Sequence, residues 1–311
     1  MCSSDLIFKQ KKISRDALKD MMDYISAGGV DITPLKELIA ECVDEEKIQN
    51  SPMDLYIHTF SVDEMRDLNV DLKGIEPELI KDFLLASSYI FPIFKSEKLH
   101  GKTYIDGGAI NNVPIDTLIE KEYKDILVVR IFGIGREKKV KIPEDTTIYT
   151  IAPTVSLGSI LDFNPKRSKI HLKRGYFDTM RVIYGLAGKI YYIDEQEKEC
   201  YYLRQLTELS QDIYVYLADV YKLELQESRA VRNLTEIILP VIAEEMKLSK
   251  EWSYRELYLS ILEATAKICR IQKYKIYTLQ ELQDKVREKL PSLEGEELPA
   301  FVQIISKENL L

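Results

Sequence analysis

The run TYIDGGAINNVPID, residues 103 to 116, sets Asp106 ahead of Gly107 and Gly108 and follows them with a proline-led helix start. An aspartate so placed is either a turn residue or a reactive carboxylate presented on a glycine bend. Taken alone, Asp-Gly favours the turn, because both residues tolerate positive φ. The neighbours shift that balance. Ala86-Ser87-Ser88, Phe91-Pro92 and Asn112-Val113-Pro114 surround the aspartate with small residues and tight bends. Such residues let backbone approach backbone closely, as a carboxylate held at a strand end requires.

Other groups with chemical potential read as structural. Phe132-Gly133-Ile134-Gly135-Arg136 follows an apolar run, but it has two glycines and leads into a charged stretch with a proline rather than a helix. It is expected to be a post-strand turn, not a phosphate loop. Tyr201, Tyr202, Tyr214, Tyr216 and Tyr221 stand at helical spacing and are expected to pack the core and its boundary. The basic run Lys166, Arg167, Lys169, Lys173, Arg174 could meet anionic headgroups, but reads as a solvated helix face capped by Asn164-Pro165. His58, His100 and His171 have no acidic partner by spacing and read as structural or surface residues. Cys2, Cys42, Cys200 and Cys269 are scattered, without the spacing of a disulfide framework or a zinc site. No cofactor or metal is expected.

An amphipathic helix is expected from Ser14 to a Gly28-Gly29 stop, and a second is opened by Thr33 and Pro34. Residues 53 to 62 alternate as a strand, and Glu78 to Ser87 form a short helix. LHGKTYID is a hairpin with its turn at Gly101. A helix from Pro114 to Tyr123 feeds DILVVRIF, 125 to 132, whose unbroken apolar character predicts a parallel strand covered on both faces. From about residue 190 only helical periods are evident, with capping-box spacings at Ser253/Glu256 and Thr278/Glu281, and Pro240 is expected to kink or break its helix.

Composition bounds the class. Hydrophobic residues at 45% and charged residues at 30% describe a globular chain rather than a disordered one. A net charge of -8 argues against nucleic acid as a main partner. The most apolar run, residues 237 to 243, is too short to span a bilayer and contains Pro240. With no signal-peptide pattern, the expected location is cytoplasmic, with peripheral contact to a membrane left open.

LLASSYIFPIF, followed by GKTYIDGGAINNVPIDTLIEKEYKDILVVRIFG, resembles the second half of a patatin-like phospholipase domain. The resemblance runs from about Ser14 to Thr179, and the helical remainder is similar to bacterial members. It implies an α/β fold, a patatin-like parallel sheet with flanking helices that is incomplete at its N-terminus, followed by an all-α C-terminal region. It also implies a lipid acyl hydrolase built on a serine-aspartate dyad. Asp106 of the Asp106-Gly107-Gly108 motif would be the general base, and the substrate a lipid or acyl ester. A serine is a weak nucleophile until an adjacent base takes its proton, and oxyanion donors then hold the tetrahedral charge.

The family's G-x-S-x-G elbow has no counterpart. The nearest runs are Ile25-Ser26-Ala27-Gly28, which lacks the first glycine, and Gly158-Ser159, far downstream of Asp106. The expectation is therefore a chain that carries the aspartate without the nucleophile, and so is inactive by itself. The opening MCSSDL resembles translated sequencing-adapter read-through. The expected organisation is a disordered or artefactual leader over 1–12, the C-terminal part of the α/β domain over 13–135, a connecting region over 136–189 and a helical domain over 190–311. The rival reading is a non-catalytic scaffold that makes its contacts through the helical domain.

Overall fold

The computed structural model describes residues 29, 31–94, 98–133, 135–158, 164–223, 230–293 and 297–306. The helix expected from Ser14 to Gly28, both nearest serine-glycine runs (Ser26 and Ser159) and the leader lie outside those residues. The chain divides into two compact units: residues 1–152 with 157–167, and residues 153–156 with 168–311.

The first unit opens with α1 (Thr33–Cys42) and α2 (Glu45–Gln49). Thr33 is not the cap of α1 as expected. Asp31 accepts from the Thr33 N–H at 2.9 Å, so the carboxylate two residues upstream serves the free N–H and Thr33 is the first helical residue. Strands β1 (Tyr56–Ser61) and β2 (Arg66–Asp71) pair antiparallel, and α3 (Pro77–Ala86) begins on a proline, which needs no N–H partner there. Strands β3 (Lys98–Leu99) and β4 (Lys102–Asp106) form the expected hairpin, with His100 and Gly101 both at positive φ in the turn. Together these strands make an antiparallel sheet ordered β2-β1-β4-β3.

Two small cores hold this unit. Ile57, Leu72 and Ile80 form one, and Ile32, Leu85 and Tyr89 the other. After α4 (Gly108–Asn111) and α5 (Ile115–Glu120), strand β5 (Asp125–Val129) pairs parallel with β6 (Thr147–Ile151). The unit is thus mixed α/β with a small parallel sheet and flanking helices. The expectation that β5 is covered on both faces fails. Ile126 is buried, but Leu127 and Val129 are 59% and 68% exposed, because this two-stranded ladder is packed on one face only.

The second unit is helical. α6 (Pro165–Tyr184), in this unit from Ser168 onward, is followed by α7 (Glu199–Thr207), α8 (Gln211–Val220), α9 (Ala230–Asn233), α10 (Leu239–Glu245), α11 (Tyr254–Ile268), α12 (Leu279–Lys289) and α13 (Val302–Ser306). A single core runs through it, with Tyr202, Leu217, Ile238, Leu257, Leu262, Leu282 and Ile304 all buried. The region also contains two short strands, β7 (Tyr192–Asp194) and β8 (Ile276–Thr278), paired parallel. Three-residue strands are too short for a period-2 pattern to show in sequence.

The capping boxes hold to different degrees. Thr278 and Glu281 exchange both bonds. Ser253 accepts from Glu256 N–H, but the Glu256 carboxylate turns away to Lys189 at 2.9 Å. Pro240 sits in the first turn of α10, directly after a π-helical turn at Leu234–Ile238. The wider turn accommodates the residue that cannot donate, so the helix is re-wound rather than broken. Tyr202 and Tyr214 are buried and Tyr201 and Tyr221 partly so, as expected of core packing; Tyr216 alone of the five is exposed.

Candidate active site

Asp106 ends β4, and the Asp106 N–H donates to the Tyr89 carbonyl at 2.9 Å. That bond ties the aspartate to the segment after α3, where the small residues Ala86, Ser87 and Ser88 let the chain come close. Ser87 and Ser88 are occupied there, both donating to the Leu84 carbonyl. The Asp106 carboxylate is half-buried, and Oδ1 accepts the Gly108 N–H at 2.7 Å. Among the described residues Oδ2 accepts no hydrogen bond. Burial pushes the Asp106 carboxyl above its ordinary range; the Gly108 bond and the nearby His58 imidazole only partly oppose this.

The two glycines owe their place to space, not to backbone freedom. Gly107 has φ -59, and neither Gly107 nor Gly108 adopts positive φ. The register Thr59↔Asp106 sets His58 of β1 opposite Gly107. A Cβ on Gly107 would lie 2.1 Å from His58 Cδ2 and 2.8 Å from its backbone carbon, so any side chain there is excluded. A Cβ on Gly108 would meet the ends of two side chains, Asn112 Oδ1 at 2.8 Å and Asp106 Oδ1 at 3.0 Å. The bend is therefore a close crossing of β1 and the start of α4, rather than a turn that only glycine can make.

The histidines are not all without polar company. The His58 Nδ1 lies 2.8 Å from Asn69 Oδ1 and donates to it, leaving Nε2 buried and without a hydrogen bond among the described residues. His100 Nε2 pairs with Asp82 Oδ2 at 2.8 Å on the surface, so the expectation of no acidic partner fails for it. Residue spacing missed both because each partnership is made across elements. Only strand register, which sequence pattern does not fix by itself, could have revealed His58.

The loop after β5 also returns to the site. Asn112 N–H donates to the Arg136 carbonyl at 2.6 Å, and Arg136 N–H donates to the Gly108 carbonyl at 3.2 Å. A Cβ on Gly135 would lie 2.2 Å from the Gly108 carbonyl oxygen. Gly135 thus gives the loop room to lie against α4, and the stretch read as a simple turn is a brace for the aspartate's bend. Asn111 is buried, bonding Asp116 at 2.9 Å and accepting the Lys138 N–H, which fixes the far end of the same helix.

Residues 4–119 match the family model described as patatin-like phospholipase. This segment of the chain is similar to that family. The patatin-like match contains Asp106, His58 and both glycines and ends inside α5, short of β5 and of the whole second unit. The match covers less than half of the chain. The chain matches no curated protein and no solved structure. No described helix is long and apolar enough to cross a membrane.

Proposed function

We propose that this chain supplies the aspartate of a serine-aspartate lipid acyl hydrolase, with Asp106 as the general base. The observation that carries the reading is the state of its carboxylate. It stands at a strand end in a patatin-like segment, with one oxygen anchored by Gly108 N–H, the other accepting no hydrogen bond among the described residues, and its proton affinity raised by burial. A carboxylate with raised proton affinity takes a hydroxyl proton more readily than an exposed one, and an anchored oxygen holds it in line to do so. Gly107 and Gly108 shape the bend, one by admitting the His58 ring, the other by donating its N–H.

The nucleophilic serine is not supplied by this chain, which lacks a G-x-S-x-G run. Alone it therefore hydrolyses no acyl ester and has no serine that reacts with a fluorophosphonate probe. The substrate is a lipid ester met at a membrane surface, with contact that is peripheral. The experiment is labelling of the purified chain with a fluorophosphonate and mass spectrometry of the product. The unmodified mass is expected; one stoichiometrically labelled serine would overturn the assignment of the nucleophile. In a polypeptide extended to include the elbow, Asp106→Asn is expected to lower ester hydrolysis by about 10²–10⁴-fold.

A further inference from the structure

Helix α6 has two unlike faces. Its inner face is fastened within the second unit: Asp178 is buried, accepting from Arg181 Nη1 at 2.7 Å and from the Tyr192 hydroxyl at 3.0 Å. Arg181 Nη2 donates to the Tyr191 carbonyl, and Phe177 packs on Tyr192 with ring centroids 5.1 Å apart. Its outer face carries Leu172, Tyr176 and Ile183, which are 76%, 58% and 65% exposed. At about 100° per residue these three fall within about 40° of one another, with the partly exposed Thr179 and Met180 filling the gap between them. Exposed lysines at 169 and 173 line one edge of that stripe.

The charge of the helix runs against that of the chain. Residues 165 to 184 contain six Lys and Arg and one acidic residue, Asp178, which is spent on Arg181. That is +5 in a chain of -8, so the remainder carries -13. A solvated helix face, the expectation from sequence, does not require an apolar stripe beside its lysines. An interfacial helix does: it sinks the stripe among acyl chains while lysines reach the headgroups. Two copies meeting on this face would set lysine against lysine across a twofold axis, which argues against self-association.

We propose that the outer face of α6 is a docking surface for an anionic lipid membrane, with Leu172, Tyr176 and Ile183 inserted and Lys169 and Lys173 on the headgroups. The inference rests on the reading of the chain as part of a lipid hydrolase, and it names the surface through which that enzyme would reach its substrate. The two readings fail separately, because docking is measured without any ester cleavage.

The experiment is co-sedimentation of the full chain with phosphatidylcholine vesicles, with and without phosphatidylserine. Binding is expected to the phosphatidylserine vesicles and to weaken as salt rises. Lys169→Glu with Lys173→Glu should lower partitioning at least about thirtyfold. Leu172→Asp with Ile183→Asp should lower it as well, with far-UV circular dichroism unchanged because both sites face outward. No sedimentation with phosphatidylserine vesicles, or equal sedimentation by all variants, overturns the proposal. So does a loss of dimer mass in the variants with vesicle binding unaltered, which would make the face a contact between copies.

Discussion

Each unit holds a carboxylate against a glycine-bearing bend, and the two are finished differently. Glu263 of α11, in the second unit, is 3% exposed and accepts the N–H groups of three successive residues: Lys189, Ile190 and Tyr191. Gly188, at φ +89, makes that nest, since a Cβ there would lie 2.5 Å from Glu263 Oε1 and 2.6 Å from the Tyr191 carbonyl oxygen. Asp106 has one N–H, and among the described residues its second oxygen accepts no hydrogen bond. The same ingredients thus yield a closed structural clasp in one unit and an open, half-anchored carboxylate in the other. What separates them is how many donors the surrounding backbone turns inward.

The largest loss of stability is expected for Glu263→Ala. It strands three N–H groups, that of Tyr191 buried and those of Lys189 and Ile190 partly so, and should cost roughly 3 kcal/mol or more. Urea denaturation would measure it, and a cost below about 1 kcal/mol would remove the distinction between clasp and base. Next in size is Gly107→Ala, which drives a methyl into His58 and its backbone and should cost about 1–3 kcal/mol. Gly108→Ala should cost less, because side-chain ends can yield and alanine suits a helix by about 0.5–1 kcal/mol. Equal costs at the two positions would refute the close crossing as the reason for Gly107.

Asp106→Asn should have the smallest effect on stability, and its sign depends on pH. The fold raises the proton affinity of Asp106, so proton binding favours the folded state. That contribution is complete below the ordinary aspartate value and is lost as pH climbs through the raised one. The asparagine variant should therefore gain on the parent as pH rises through that window and hold a constant advantage above it. Denaturation curves taken across the window would read this directly, and parallel profiles would contradict the raised affinity.

Much of the site was legible in residue types. Asp106 before two glycines, the hairpin at Gly101 and the Asn164 cap, which accepts from Lys166 N–H at 3.0 Å, all follow local rules that act over a few residues. What escaped was set at a distance. His58 faces Gly107 through strand register, the Gly133–Arg136 loop folds back on Gly108 across about twenty-seven residues of chain, and Glu263 caps a bend seventy-odd residues upstream. The uncovered face of β5 escaped for the opposite reason. An apolar run predicts burial, but only the neighbours actually packed on a strand decide which of its faces is covered.

The proposed role of Asp106, a poised base rather than a turn residue, is open to direct measurement. Its carboxyl carbon can be followed by NMR through a pH titration, with Asp106→Asn identifying the resonance. A midpoint above the ordinary aspartate range is expected, rising further in His58→Gln as the favourable imidazole is removed. A midpoint at or below the ordinary range, unmoved by His58→Gln, would contradict it.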